Sequence, residues 1–340
     1  KGTPPAAHLL MAEGKMAVSK ASRVRKEITS LTAAELDTLK NAFSAIKAFD
    51  TSDPNSYFVQ AGYHWLPAGN LYCQHHVPGY NPWHRAYLLS FENALRSVPG
   101  CENVTLPYWD HTTPFPDVLK SAPFDSYTLP VDIGSGYNAG YVTQRFSYDA
   151  IAQNLAASAV TDKINRAMTK TDWEDFHGFW SGAPYNTIIA AHDSGHNSIG
   201  PTMQDQGVAA FDPVFWFFHA NWDRLFWDWQ VQMQATELNG LLSTINAQTD
   251  ALSYQIFTVP PLETLAPFTA DPLKLTTLSI INSVTSLDVD YQSPKKLSRF
   301  NMLAKTQRTT LASQKFFVNN NMVTVSVQGI NRLKIPGSFN

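Results

Sequence analysis

The sequence predicts a mainly α fold, a helical core with long loops and a small β appendage near the C-terminus. Three observations point to a helical body with a β tail. Three Asx-Pro pairs look like helix starts, the chain is rich in apolar residues and poor in charge, and its texture turns β-branched late in the sequence. Asp53-Pro54, Asn81-Pro82 and Asp212-Pro213 each place a side-chain acceptor at an N-cap, followed by a proline at N1, where its missing N–H goes unmissed.

The elements follow in order. Thr32-Ala-Ala-Glu35 is a capping box that opens a periodic stretch to about Phe49. Asp53-Pro54 starts a helix to about Trp65, and Asn81-Pro82 one to about Val98. Residues 99–183 read as loops with at most short helices, because Pro107, Pro114, Pro116, Pro123 and Pro130 break any long element. Gly134, Gly136 and Gly140 suit a long surface excursion. A helix is expected over Tyr185–Ser198, and a long aromatic one from Asp212-Pro213 to about Gln234. Beyond about residue 255, Leu275–Ile281 and Met322–Gln328 read as strands. Asn319-Asn-Asn321, between Lys315–Val318 and Met322–Gln328, reads as a hairpin turn. The whole, 1–340, is expected to be one domain, with a helical core over about 30–235 and a partly β segment over about 255–340.

Composition narrows the function classes. Apolar residues make up 44% and charged residues 16%, so a large core can form, and 9 Trp, 13 Tyr and 20 Phe make it aromatic. A net charge of −3 argues against a nucleic-acid partner, which needs a basic face. No apolar run approaches the roughly 18 residues of a membrane span. Lys1 stands first, as expected of a processed or trimmed chain. The sequon Asn103-Val-Thr105 makes Asn103 a candidate glycan acceptor and, with short Pro/Ser/Thr runs among few charges, favours a secreted, extracellular protein. Two cysteines, Cys73 and Cys101, are too few for a zinc ribbon or a disulfide scaffold, so any metal must rest on histidine or carboxylate.

The histidines are not scattered at random. His192 and His196 are four apart on an expected helix, so both rings leave one face. His219 lies in the next long helix. His64 ends one expected helix, His84 begins another, and His75 sits in the loop between. Two groups of three result, with no Asp or Glu at ligand spacing. Catalytic zinc often recruits a carboxylate, whereas neutral imidazole suits copper, so the pattern points to a pair of copper ions. His76 stands at a workable distance to replace His75. His111 and His177 read as packing histidines, and His8 lies in a tail.

These residues carry a resemblance. Cys73-Gln-His75 followed by Asn81-Pro-Trp-His84-Arg85-Ala-Tyr87 resembles the first copper-binding region of tyrosinases and catechol oxidases. Pro107-Tyr-Trp-Asp110 resembles the segment that usually follows. His192-Asp-Ser-Gly-His196, then Phe211-Asp-Pro-Val-Phe215-Trp-Phe-Phe-His219-Ala-Asn221-Trp-Asp223-Arg224, resembles the second region. The likeness covers roughly residues 20–235 and is closest to the short secreted fungal branch, which lacks a C-terminal shielding domain. It implies a four-helix bundle around two copper ions, CuA on His64, His75 and His84, and CuB on His192, His196 and His219. His64 departs from the pattern, since it lies only eleven residues before His75. The Cys-x-His pattern falls on His75 rather than His76.

Around the ligands, Trp83, Arg85 and Tyr87 are expected to help fix His84, and Phe215 to pack on a ligand imidazole near the substrate mouth. Asn197 and Asp193 follow ligands directly and are expected beside the centre. Asp212 reads as an N-cap, and Asp223 and Arg224 as a buried structural pair or as partners for the neighbouring helix, the first reading being favoured. Most tyrosinase-like sequences have Asn where Asp193 stands, and many a Glu about nine residues before the first ligand of that group. Here Ala183 stands there, so the pair that would position a base-assisting water looks altered. A Cys73–Cys101 disulfide is expected, because the two cysteines bracket the His84 helix and a free thiol is unusual in a secreted chain. Some relatives with Cys-x-His form a thioether instead, here Cys73 to His75.

The resemblance implies a catechol oxidase, taking small o-diphenols and O2 and releasing o-quinone and water. The alternatives are a tyrosinase that also hydroxylates monophenols, and a haemocyanin-like oxygen carrier. A zinc hydrolase would need a catalytic Glu beside a histidine group, and none stands there.

Overall fold

The computed structural model describes residues 21–69, 72–73, 75–178, 187–259 and 265–292. The hairpin expected over 315–328 and the position Ala183 lie outside them. In chain order the described residues form β1 (Arg23–Arg25), α1 (Ala33–Ala48), α2 (Tyr57–Gly62), α3 (Tyr80–Arg96), α4 (Tyr148–Ala157), α5 (Val160–Ala167), α6 (Trp173–His177), α7 (Ile188–Ile199), α8 (Pro201–Gln204), α9 (Val214–Met233), α10 (Leu238–Leu242), α11 (Ala251–Thr258), α12 (Ser283–Leu287) and β2 (Val289–Tyr291).

Capping chemistry sets the starts, though not always where the Asx-Pro pairs suggest. Thr32 and Glu35 form the expected capping box on α1, which buries Leu39, Ala42, Phe43 and Ile46 at helical spacing. Asp53-Pro54 makes a turn instead of a cap; the Ser56 hydroxyl accepts from Val59 N–H and starts α2 three residues later than expected. Asn81-Pro82 falls inside the first turn of α3, whose N-cap is Gly79. A proline is tolerated there because first-turn N–H groups have no helical partner. Asp212 accepts from Val214 N–H at 3.0 Å, but its main partner is Arg145, which reaches both carboxylate oxygens, so capping is only part of its role.

α9 is buried nearly all round, which explains its unbroken aromatic content. Phe91 of α3 stacks on Trp216 of α9 with centroids 3.5 Å apart, and Phe43 of α1 stacks on Phe217 at 5.4 Å. α7 reaches α9 through Gly195. A Cβ at that position would meet the Phe218 ring at 2.8 Å, so glycine is what lets the two helices approach. α2, α3, α7 and α9 thereby surround one centre, the expected helical bundle.

The β content differs from expectation. Leu275–Ile281 forms turns, and the described strand of that region is β2, which pairs in parallel with β1, Arg23 opposite Val289. The pairing is anchored by a buried ion cluster. Arg25 bonds Glu92 of α3 at 2.9 Å and Tyr291 at 2.7 Å, and Asp223 of α9 takes Arg85 at 2.6 Å and the Tyr291 hydroxyl at 2.5 Å. Asp223 and Arg224 are thus not a pair. Arg224 turns to Asn221 and Asp228.

Replacing Asp223 by Ala takes from buried Arg85 the carboxylate it bonds, while Arg25 keeps Glu92. We expect a loss of about 3–5 kcal/mol, read as a lower urea midpoint at unchanged slope.

Candidate metal centre

Each helix end delivers its histidine with a reason. His64 follows the C-cap of α2; His84 sits one turn into α3; His192 and His196 share one face of α7; His219 lies one turn into α9; and His75 comes from the loop before α3. His64, His75 and His84, together with Cys73, offer ligand atoms within 4.8 Å of one another, and so do His192, His196 and His219. That spread is one a single ion at about 2 Å per bond gathers with small side-chain shifts. The two groups adjoin: the His84 and His219 rings stack with centroids 4.6 Å apart.

The rings are aimed by bonds to their outer nitrogens. Nδ1 of His64 faces the Gln206 carbonyl at 3.0 Å, that of His84 the Tyr80 carbonyl at 2.9 Å, and that of His196 the Met203 carbonyl at 2.8 Å. Nδ1 of His192 faces Asp193 Oδ1 at 2.8 Å. A carbonyl or carboxylate can only accept, so each Nδ1 carries the hydrogen and each Nε2 keeps its lone pair. Those lone pairs converge. Nε2 of His64 and of His192 is buried without a hydrogen-bond partner, and Nε2 of His196 lies 3.1 Å from that of His219. Buried acceptors aimed at one another are costly unless a cation lies between them. The donor sets therefore fit two copper ions, three imidazoles each.

Burial keeps the rings neutral. It pushes His64, His75, His84, His192 and His219 far below the ordinary imidazole value, and neighbouring imidazoles add to the effect. His196 is pushed down to about 4, again chiefly by burial.

The structure places the remaining expected residues as follows. His75 joins the first group, whereas His76 turns outward with φ 51° and faces Asp193 Oδ2 at 3.4 Å. Asp193 thus holds His192, and its pKa is raised by burial. Phe215 packs on His219 at 4.1 Å and His64 at 4.8 Å, but it is fully buried beneath the rings, not at a mouth. Asn197 is exposed on the wall of the cleft, and its carbonyl accepts from Gln204. Neither Arg85 nor Tyr87 bonds His84: Arg85 joins the ion cluster, and Tyr87 donates to the Gln60 carbonyl at 2.7 Å. Trp83 packs edge-on against the ring at 4.9 Å. His111 is a packing histidine, wedged between Phe218 and Trp222. His177 belongs to neither group; it is buried, stacked on Trp173 at 5.2 Å, and pushed down to about 3 by burial. Asn103 is exposed.

The expected disulfide is absent. Both cysteines are free and buried, Cys101 facing the Thr38 carbonyl and Cys73 lying 3.2 Å from His75 Nδ1. Cys73 is drawn into the histidine group by its place beside His75, away from Cys101.

Sequence reasoning missed Met203, Gln206 and Tyr80, which act through backbone carbonyls. A carbonyl has no residue signature. The one sequence cue is that 200–207 joins the two histidine helices.

An open cleft leads onto this centre, lined by His64 and His75 of the first group, His192 and His196 of the second, and Asp193, Asn197 and Gln206. The common central domain of tyrosinase matches residues 54–147 and 117–232, which together span more than half of the 340 residues. The chain belongs to the tyrosinase family. Its relatives include a tyrosinase of Hahella sp. (strain CCB-MM4), 25% identical over 89% of this chain and 76% of its own length. A multi-unit haemocyanin of Enteroctopus dofleini is 26% identical over 74% of this chain, which spans only 21% of it. Among solved structures, a tyrosinase from Burkholderia thailandensis superposes with a TM-score of 0.65 at 22% identity, covering 82% of this chain and 77% of that one. A functional unit of octopus haemocyanin gives 0.62 at 23%, covering 84% and 73%. The fold is thus shared by tyrosinases and haemocyanins alike.

In the metal-free protein the buried rings refuse protons that an unfolded chain accepts below about pH 6.5. His196 does so down to about 4. Stability is therefore fully present above about pH 6.5 and falls as pH drops towards 4. Urea midpoints across that range check this; a flat profile is the contrary result.

Proposed function

We propose that the chain is a catechol oxidase whose two copper ions are held by His64, His75 and His84 and by His192, His196 and His219. The observation that carries this reading is the open cleft lined by rings of both groups. A flat phenolic ring can reach the centre through it. Bound copper would supply the redox chemistry: two o-diphenols give two o-quinones while one O2 becomes two waters.

The chain's residues do the rest. The buried aromatic bed under the rings, Phe215 above all, excludes water and fixes the imidazoles from below. Asp193 holds His192 and is the carboxylate on the cleft wall among the described residues. A monophenol must lose its proton at the site, so it needs a base within reach. Asp193 has one oxygen on His192 and the other facing His76, which leaves it poorly placed to act as that base. A diphenol is less dependent on this step.

Oxygen carriage is the second reading, favoured by the haemocyanin relatives. Catechol under air separates the two, because a carrier does not accumulate quinone. The resemblance to the short fungal branch and the exposed sequon at Asn103 support secretion, with a glycan on Asn103.

Two outcomes are expected. The initial rate on a simple phenol is at least tenfold below that on its matching catechol, or shows a lag; equal rates without lag favour a tyrosinase. His84→Ala, His196→Ala and His219→Ala each abolish turnover and leave fewer than two coppers per chain by metal analysis. Full activity in any of them sinks the ligand assignment.

A further inference from the structure

The two histidine groups come from helices far apart in sequence, yet one short segment aims a ring in each. The Met203 carbonyl takes Nδ1 of His196, and the Gln206 carbonyl takes Nδ1 of His64. The Gln206 side chain also contacts His75. These acceptors are three residues apart, so a single shift of segment 201–207 would move rings in both groups together. The segment is one helical turn, α8, and a bend, too short to hold itself by its own hydrogen bonds.

We propose that loop 127–143 is the positioning element for this segment, acting through Tyr137 and Tyr141. The Tyr137 hydroxyl donates to Asp205 Oδ2, while Oδ1 of the same carboxylate accepts Gly207 N–H at 2.8 Å. Asp205 therefore links the tyrosine to the bend that presents Gln206. The Tyr141 hydroxyl shares a 2.7 Å hydrogen bond with the buried Thr202 hydroxyl, which also accepts Gln144 N–H at 2.7 Å. Thr202 N–H returns to the Gln144 carbonyl at 3.2 Å. One tyrosine thus grips each end of the segment.

The grip is stiff. The two phenol rings meet edge-on at 4.9 Å. The loop is closed across its base by Leu129 N–H to the Tyr141 carbonyl, Gly140 N–H to the Leu129 carbonyl and Thr143 N–H to the Tyr127 carbonyl. Just beyond it, Arg145 bonds Asp212 ahead of α9, the helix that carries His219. The loop touches no ligand ring itself, so Tyr137 and Tyr141 are positioning residues.

The consequence for copper rests on the ligand assignment proposed above; the consequence for the rings does not. The first measurement therefore uses the metal-free full chain. With 15N-labelled histidine, the Nδ1–H protons of His64 and His196 are followed for exchange with solvent. In Y137F/Y141F, and to a smaller degree in Y137F alone, both are expected to exchange about tenfold faster, the equivalent of one lost net hydrogen bond. Tyr108→Phe is the control. It removes a hydroxyl that donates to the Gln292 carbonyl at 2.6 Å, remote from the segment, and reports what lost stability alone does. Unchanged exchange, acceleration at one ring only, or acceleration no greater than in Y108F overturns the proposal. The second measurement loads copper and follows its removal by a chelator, with both ions expected to leave about tenfold faster in the double variant. Failure of the wild-type chain to bind copper would defeat the ligand assignment while leaving the exchange result to stand.

Discussion

The structure turns on keeping six imidazoles neutral, desolvated and aimed inward at the same time. A buried ring that takes up a proton loses its ligand lone pair, and a ring free to rotate loses its direction. Burial answers the first requirement by holding the rings far below their ordinary pKa. Acceptors at the outer nitrogens of four rings answer the second, by leaving Nε2 as the free donor.

Much of the scaffold follows from that requirement. Dry rings need an apolar bed, which Phe215, Phe218 and Trp222 of α9 provide, and a helix with such a bed is buried on its other sides too. A helix buried all round must then satisfy its polar groups inside the protein. Asp223 and Gln230 do so chiefly against Arg85 of α3 and Tyr291 of β2, and Arg224 and Asn221 against each other. Gly195 has the same origin: the two histidines of α7 come close to α9, and no side chain fits between the helices there.

The sequence showed the centre better than its surroundings. The i, i+4 pair His192 and His196, with His219 and His84 in aromatic helices, is legible because ligand type and spacing are side-chain properties. Of His75 and His76, only the family pattern favoured the first; the geometry separates them by turning His76 outward. The supporting contacts were mostly hidden. Tyr80, Met203 and Gln206 act through carbonyls, which every residue carries. The disulfide expectation failed because bracketing a helix in sequence says nothing about which way a thiol faces. The helix starts were displaced by up to three residues, since Asx-Pro marks a turn as readily as a cap, as at Asp53. Strand periodicity over Leu275–Ile281 was overridden by packing, which left those residues in turns.

The parallel pairing of Arg23–Arg25 with Val289–Tyr291 joins the two ends of the described chain. It also completes the ion cluster, because the Tyr291 hydroxyl sits between Arg25 and Asp223. During synthesis all six histidines of the two groups are made before this tyrosine. The histidine helices can therefore assemble, with Arg25 on Glu92 and Arg85 on Asp223, before the Tyr291 hydroxyl arrives to link the two pairs. The body is closed only by a strand that follows the whole centre, so a chain cut before residue 289 would keep all six histidines and lose the clasp that joins them to the first strand.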